Sequence, residues 1–503
     1  MALITFCTDI EMEYIYRYIK ILITAFCCLS CSNTDIQITK NVEEFPEIFP
    51  DYKDVTIPYN IAPLNFSYVG EGDVCLIISG KHGELQIKGK DGLFSFQNST
   101  WRKLMQENKG DSIKLTVAVY INKEWVGCKP FFIKVSTDPI DPYISYRLIP
   151  PGYEGWKDMG IYQRDLETFE ETSIFENKLT NHNCVNCHAY CERDPSKMMF
   201  HVRAEFDGTV LIQDEVIEKL NTKTDSTVST LVYPYWHPSG KYIAFSVNKT
   251  MQNFFNHHPN RIEVYDVESD VVVYNVQTRQ ISYSSLTKSA NSFETFPAFS
   301  PDGRSLYFCS APKVDSLPLK YDLVRYNLCR ITFNPEDMSF GSKVDTLYNA
   351  QLHQKSVSFP RVSPDGKNLV FTLHNWGNFS IWHKEADLWK VNLQTEEVVP
   401  LAEVNSDDVE SYHSWSSNSR WLIFSSRRTN GLYTRPFIAY VDEKGETCKP
   451  FLLPQNNPLV YYKQLMFSYN IPEFMIRKVE TSKYKIKNVL RESKGINVTV
   501  KRN

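Results

Sequence analysis

Cys184, Cys187 and His188 stand in the order C-x-x-C-H within "NHNCVNCHAY", residues 181–190. Covalent attachment of a c-type haem needs two thiols to add to the vinyl groups and a histidine to ligate the iron. This spacing supplies all three within a short length of chain. Cys184 and Cys187 would be the thioether residues and His188 the axial ligand. The sixth position at the iron would fall to His201, Met199 or Met198, all in "MMFHVR" just downstream. Alternate residues of a strand share a face, so Met199 and His201 are expected on one side and Met198 on the other. His201 is the preferred ligand, because a methionine pair ordinarily serves core packing.

Other chemistries compete for the same residues. Cys184, Cys187 and Cys191 with one of His182, His188 or His201 would make a tetrahedral Cys3His site for structural zinc. A disulfide between two of the three cysteines is a further reading. Thioredoxin-like exchange is disfavoured, because no βαβ pattern surrounds the motif. His237, in "YWHPSG", reads as a structural turn residue. "HHPNRIEVYDVESD" carries His257, His258, Asp266 and Asp270 at spacings that fit no metal template. No G-x-S-x-G, phosphate-binding loop or H-E-x-x-H occurs, and no catalytic carboxylate pair can be assigned, so enzymatic activity is left open.

The N-terminus bears on the redox compartment. In "MEYIYRYIKILITAFCCLSCSN", residues 12–33, Arg17 and Lys20 precede an apolar run too short to span a bilayer, which ends at Leu29-Ser30-Cys31. Asp9 and Glu11 suit such a leader poorly, so translation is expected from Met12. The segment resembles a bacterial lipoprotein signal, which implies lipidation of Cys31 and a mature protein held at the cell envelope, periplasmic or on the outer membrane. Disulfides persist there. Cys75 and Cys128 would then pair, or remain two buried thiols.

The chain has 503 residues and a net charge of −4, which gives no reason to expect a nucleic-acid partner. Aromatic residues make up 14% and β-branched residues are plentiful, the composition of pleated sheets. Four units repeat: "YPYWHPSGKYIAFSVN", "FPAFSPDGRSLYFCSA", "FPRVSPDGKNLVFTLH" and "YHSWSSNSRWLIFSSR", starting at residues 233, 296, 359 and 412. Each reads as strand, tight turn, strand. A second hairpin follows, as in "VVVYNVQTRQISYSSL" and "DLWKVNLQTEEVVPLA", so each unit predicts a four-stranded blade. The units resemble those of TolB-type β-propellers, with their aromatic-x-x-S-P-D-G turns. The last departs from that pattern at Ser416-Ser417-Asn418-Ser419.

The expected fold is all-β: an N-terminal immunoglobulin-like sandwich followed by a TolB-type β-propeller of five or six blades. Its expected divisions are a signal (1–31), a linker (32–48), the sandwich (49–137), a connector with the C-x-x-C-H segment (138–197), the propeller (198–455) and an extension with a basic, solvated tail (456–503). The combination resembles a group of bacterial envelope lipoproteins in which a propeller accompanies cytochrome-c-like sequence. It implies a lipid-anchored protein with one haem c, passing electrons to or from an envelope redox partner. The alternative is a non-catalytic scaffold that binds protein or glycan, its cysteine cluster a structural zinc or disulfide site.

Overall fold

The computed structural model describes residues 36–151 and 157–501. The Cys31 reading and the signal lie outside the described residues. Strands dominate, and the α-helices are Asn98–Glu107, Pro458–Gln464 and Lys483–Glu492 among the described residues. No described helix is long and apolar enough to cross a membrane.

Six sheets of four or five strands follow one another in a propeller-like ring. Five begin with an inner strand and add strands outward in chain order. Their inner strands are Val185–Cys191, Leu231–Trp236, Ser292–Phe299, Ser356–Val362 and Glu410–Trp415. The sixth is assembled from both ends of the ring. Its inner strand is Ser468–Met475, and its outer strands are Tyr143–Ile149, Gly160–Asp165 and Glu171–Glu176. The ring therefore takes in residues on both sides of 198–455, and about half of the expected connector is sheet.

Sequence explains the repeated hairpins. Asp302 and Asp365 each accept hydrogen bonds from a turn serine and from the backbone two residues on, and Gly303 and Gly366 take the left-handed φ that closes the turn. The divergent unit keeps the same turn: Asn418 accepts from Ser416 and from Arg420 N–H, and Ser419 has φ 62°. Asparagine can accept these bonds as aspartate does, so the geometry survives the loss of Pro-Asp-Gly.

Before the ring, a seven-stranded sheet and a three-stranded sheet enclose an apolar core with the helix Asn98–Glu107. Trp101 and Met105 of that helix are buried. The core runs on into Trp421, Phe437 and Tyr469 of the ring. Tyr52 donates to the Leu452 carbonyl at 3.1 Å, and Trp421 donates to that of Pro139 at 3.0 Å. Cys75 packs with Ile77 and Ala118, whereas Cys128 packs against the larger core, and both are free thiols. Of the two readings, pairing or two separate thiols, the structure holds the second.

The basic tail differs from the expected solvated end. Ile496–Asn497 adds to the outer strand of the first ring sheet and Thr499–Val500 to that of the second, both in parallel. Buried Val498 lies between them in the core that joins these two sheets.

Candidate functional site: the two mouths of the ring

Each inner strand carries a bulge at an equivalent position, where two of its residues face one residue of the neighbouring strand. The first residue of each pair has left-handed φ: Cys187 56°, Tyr233 48°, Phe296 51°, Phe359 52°, Tyr412 51° and Ile471 50°. The second is His188, Pro234, Pro297, Pro360, His413 or Pro472. The C-H pair of the C-x-x-C-H motif is thus the ring's recurring bulge dipeptide.

The bulge side chains meet across the ring. Phe296 and Phe359 lie 4.0 Å apart between ring centroids, Tyr233 and Phe296 4.7 Å, and Phe359 and Tyr412 4.8 Å. The Cys187 thiol joins this plug beside Tyr233 and Tyr412, and burial raises its pKa. Cys184 is half-buried, with Asn186 Nδ2 donating to its sulfur at 3.5 Å.

His188 is 2% exposed, edge-on to Tyr190, and the Ile471 backbone lies near its ring nitrogens but outside good hydrogen-bonding geometry. Burial, with a smaller push from Arg147, lowers its pKa to about 3, so the imidazole is neutral. A porphyrin held by Cys184, Cys187 and His188 needs an open face beside the strand. Cys187 sits inside the plug and His188 is enclosed, so these residues do not fit a haem in this packing.

The other expected ligands are dispersed. His201 Nδ1 is 3.2 Å from Thr209 Oγ1 and its Nε2 is 3.5 Å from Thr230 Oγ1, and burial lowers its pKa to about 3. Met199 packs in the core towards the second ring sheet and Met198 in the core on the opposite face. Cys191 is directed at the His237 carbonyl, 3.7 Å away. His182 is exposed, near Asp158. Among the described residues no three His, Cys, Asp or Glu side chains gather as metal ligands would. His237 is a turn residue, bonded to Ser239 at 2.7 Å and to the Gly303 carbonyl of the next turn at 3.1 Å.

The plug divides two mouths. At the turn end of the inner strands, a narrow cavity of about 70 Å³ is lined by Tyr235, Arg193, Arg361, Trp415 and Glu473. Burial pushes Glu473 up to about 7, against the pull of Arg361 and Arg193. At the end where the inner strands begin, Arg147, Arg203 and Arg427 act on the groups of the plug. Sequence reading missed these arginines. One signal was available: Arg203 and Arg427 each directly follow the second strand of their sheets.

A buried ionic cluster braces the same end. The hairpin of Tyr242–Phe254 and Ile262–Asn275 carries Glu263 to His383, which lies beyond the strand Asn368–His374. Glu263 Oε2 is 3.0 Å from His383 Nε2 and accepts from Trp376 at 3.3 Å, and Glu385 is 3.4 Å from His383 Nδ1. Burial opposes the charge on His383, but the two carboxylates outweigh it and hold its pKa at about 9. Asp266, pushed up to about 6 by burial, accepts from Tyr326 at 3.1 Å and Asn378 at 2.6 Å. Asp270 pairs with Lys288 at 2.6 Å.

No family model and no curated protein matches the chain. Solved structures similar to it include an oligogalacturonate lyase in complex with manganese, at 13% identity, 61% of this chain and 73% of that one, TM-score 0.35. An oligogalacturonate lyase from Vibrio parahaemolyticus aligns at 11% identity over 60% and 92%, TM-score 0.31. The tricorn protease aligns at 11% over 81% and 35%, TM-score 0.30.

Proposed function

We propose that this chain is a non-catalytic binding scaffold: a six-bladed TolB-type propeller behind an immunoglobulin-like sandwich, taking up a ligand at a mouth of its ring. The parallel pairing of Val55–Pro58 with Phe131–Ser136 beside antiparallel strands supports the sandwich. The recurring bulge of the six inner strands supports the blade count. One observation carries the functional reading: Cys187-His188 occupies the backbone position that Tyr233-Pro234 and Phe296-Pro297 hold, so fold geometry accounts for the buried half of C-x-x-C-H. Lipid on Cys31 would tether the protein at the bacterial cell envelope. Mass spectrometry of native protein checks this, by an acylated N-terminus at Cys31.

The test of the scaffold reading is a pyridine haemochrome spectrum of protein produced with cytochrome c maturation machinery. The expected result is no covalent haem. One equivalent of thioether-bound haem would overturn the reading and restore an envelope cytochrome, with Cys184 and Cys187 as attachment residues.

A further inference from the structure

We infer that the mouth at the starting end of the inner strands binds an oxyanion, the carboxylate, phosphate or sulfate group of a ligand, through Arg427 and Arg147 beside the Tyr412 hydroxyl. This deepens the binding-scaffold reading and rests on it for the claim that the ring takes up a ligand.

Arg427 directly follows the strand Trp421–Ser426, at the level where the inner strand Glu410–Trp415 begins. It is 4% exposed. Its guanidinium lies over the Trp382 ring, with Cζ 3.1 Å from the centroid. Nε is enclosed without a partner, and the side chain makes no ion pair or hydrogen bond with the described residues. Burial lowers its pKa to about 9, helped by Arg261 and opposed by Asp408 and Tyr412, so the charge persists at neutral pH.

Other enclosed arginines of this molecule spend their terminal N–H groups on partners, although Arg435 too leaves its Nε unpaired. Arg435 donates to the carbonyls of Phe467, Leu465 and Tyr462. Arg164 donates to Gln455 and to the Pro454 carbonyl. Arg428, next to Arg427, holds Glu410 at 2.9 Å. A buried charge without hydrogen bonds is costly, and Arg427 lacks the partners that Arg435, Arg164 and Arg428 each hold.

The surroundings say what would complete it. The Trp382 contact leaves the N–H groups of Arg427 without hydrogen bonds, and a guanidinium with its N–H groups to spare grips a carboxylate or phosphate with two bonds. Arg147 donates from Nη2 to the Asn470 amide oxygen at 3.2 Å but keeps an enclosed Nε without a partner, and it acts with Arg427 on the Tyr412 hydroxyl. That hydroxyl makes no hydrogen bond within the described residues and can donate to the same anion. Arg203 adds positive charge beside Cys187 and Tyr233. The nearest carboxylates are engaged: Asp266 by Tyr326 and Asn378, and Asp408 by the Val409 amide.

Thermal unfolding of the full chain in inorganic phosphate, sulfate or acetate, at constant ionic strength against chloride, tests the inference. The melting temperature should rise saturably with at least one of these anions. Arg427→Gln should weaken the apparent affinity at least tenfold and Arg147→Gln severalfold. Arg361→Gln, at the other mouth, should respond as wild type. If Arg427→Gln does not fold, Arg147→Gln decides. No saturable response in wild type, or an unchanged response in the deciding variant, overturns the site. Covalent haem in protein that still binds anion would sink only the scaffold reading. Haem-free protein without an anion response would sink only the site.

Discussion

Cys187 and Tyr412 hold the same backbone position in two different sheets of the ring, with φ of 56° and 51°, and a buried histidine follows each. The thiol and the phenol meet in one central plug. His413 finds the Val370 carbonyl at 2.9 Å, while His188 makes no such bond. A dipeptide that reads as haem chemistry in isolation is, in the ring, one of six repeats of a bulge.

This equivalence separates the three cysteines. Cys187→Ser places a hydroxyl among aromatic rings and should cost about 1–3 kcal/mol. Cys184→Ser, at a half-buried position, should stay within about 0.5 kcal/mol of wild type. Cys191→Ser keeps a donor aimed at the His237 carbonyl and should cost about 1 kcal/mol or less. Urea denaturation of the three variants checks the order. Equal and severe losses at Cys184 and Cys191 would instead indicate a shared metal.

The repeats were legible because turn chemistry and buried strands recur at near-constant spacing. "FPAFSPDGRSLYFC" names its own hairpin. The bulge was less legible, since Tyr-Pro, Phe-Pro, Tyr-His, Ile-Pro and Cys-His share a backbone conformation rather than a residue type. The sixth sheet escaped because Ser468–Met475 is separated by some 320 residues of chain from Tyr143–Ile149, the strand it pairs with, and no local period links them. Arg427 escaped for another reason. A charged residue after a strand reads as solvated surface, and only burial without a partner gives it meaning.

The pairing of Ser468–Met475 with Tyr143–Ile149 and the shallow attachment of the tail predict different outcomes for two truncations. Ending the chain after Ser493 removes Ile496–Asn497, Thr499–Val500 and buried Val498 but leaves the ring closed. Burying a valine contributes about 1.5–3 kcal/mol, so this protein should be soluble and melt a few degrees lower. Ending it after Phe467 removes an inner strand and leaves the apolar faces of two neighbouring sheets uncovered. That protein should be insoluble. A soluble, sharply melting chain ending at Phe467 would mean that Ser468–Met475 does not close the ring.

The bridge from Glu263 to His383 predicts a pH dependence. His383 has its pKa at about 9 in the folded protein against 6.5 when unpaired. A raised histidine pKa stabilises fully below the unfolded value and loses its contribution as pH rises through the folded one. The loss should therefore run from roughly pH 6.5 to 9 and amount to about 3 kcal/mol. His374, its ring 5.0 Å from that of His383, has its pKa lowered by burial and by the charge on His383, so it adds no charge of its own in that range. Glu263→Gln removes the main carboxylate holding the imidazolium, and breaking such a buried pair typically costs about 3–5 kcal/mol. Near pH 6 the variant should be less stable than wild type by an amount of that order, and the gap should narrow as pH rises towards 9, because wild type loses the interaction too. Denaturant unfolding of both proteins across this range measures the gap. A gap that stays constant with pH would mean that the imidazole is neutral and that the contact to Glu263 is an ordinary hydrogen bond.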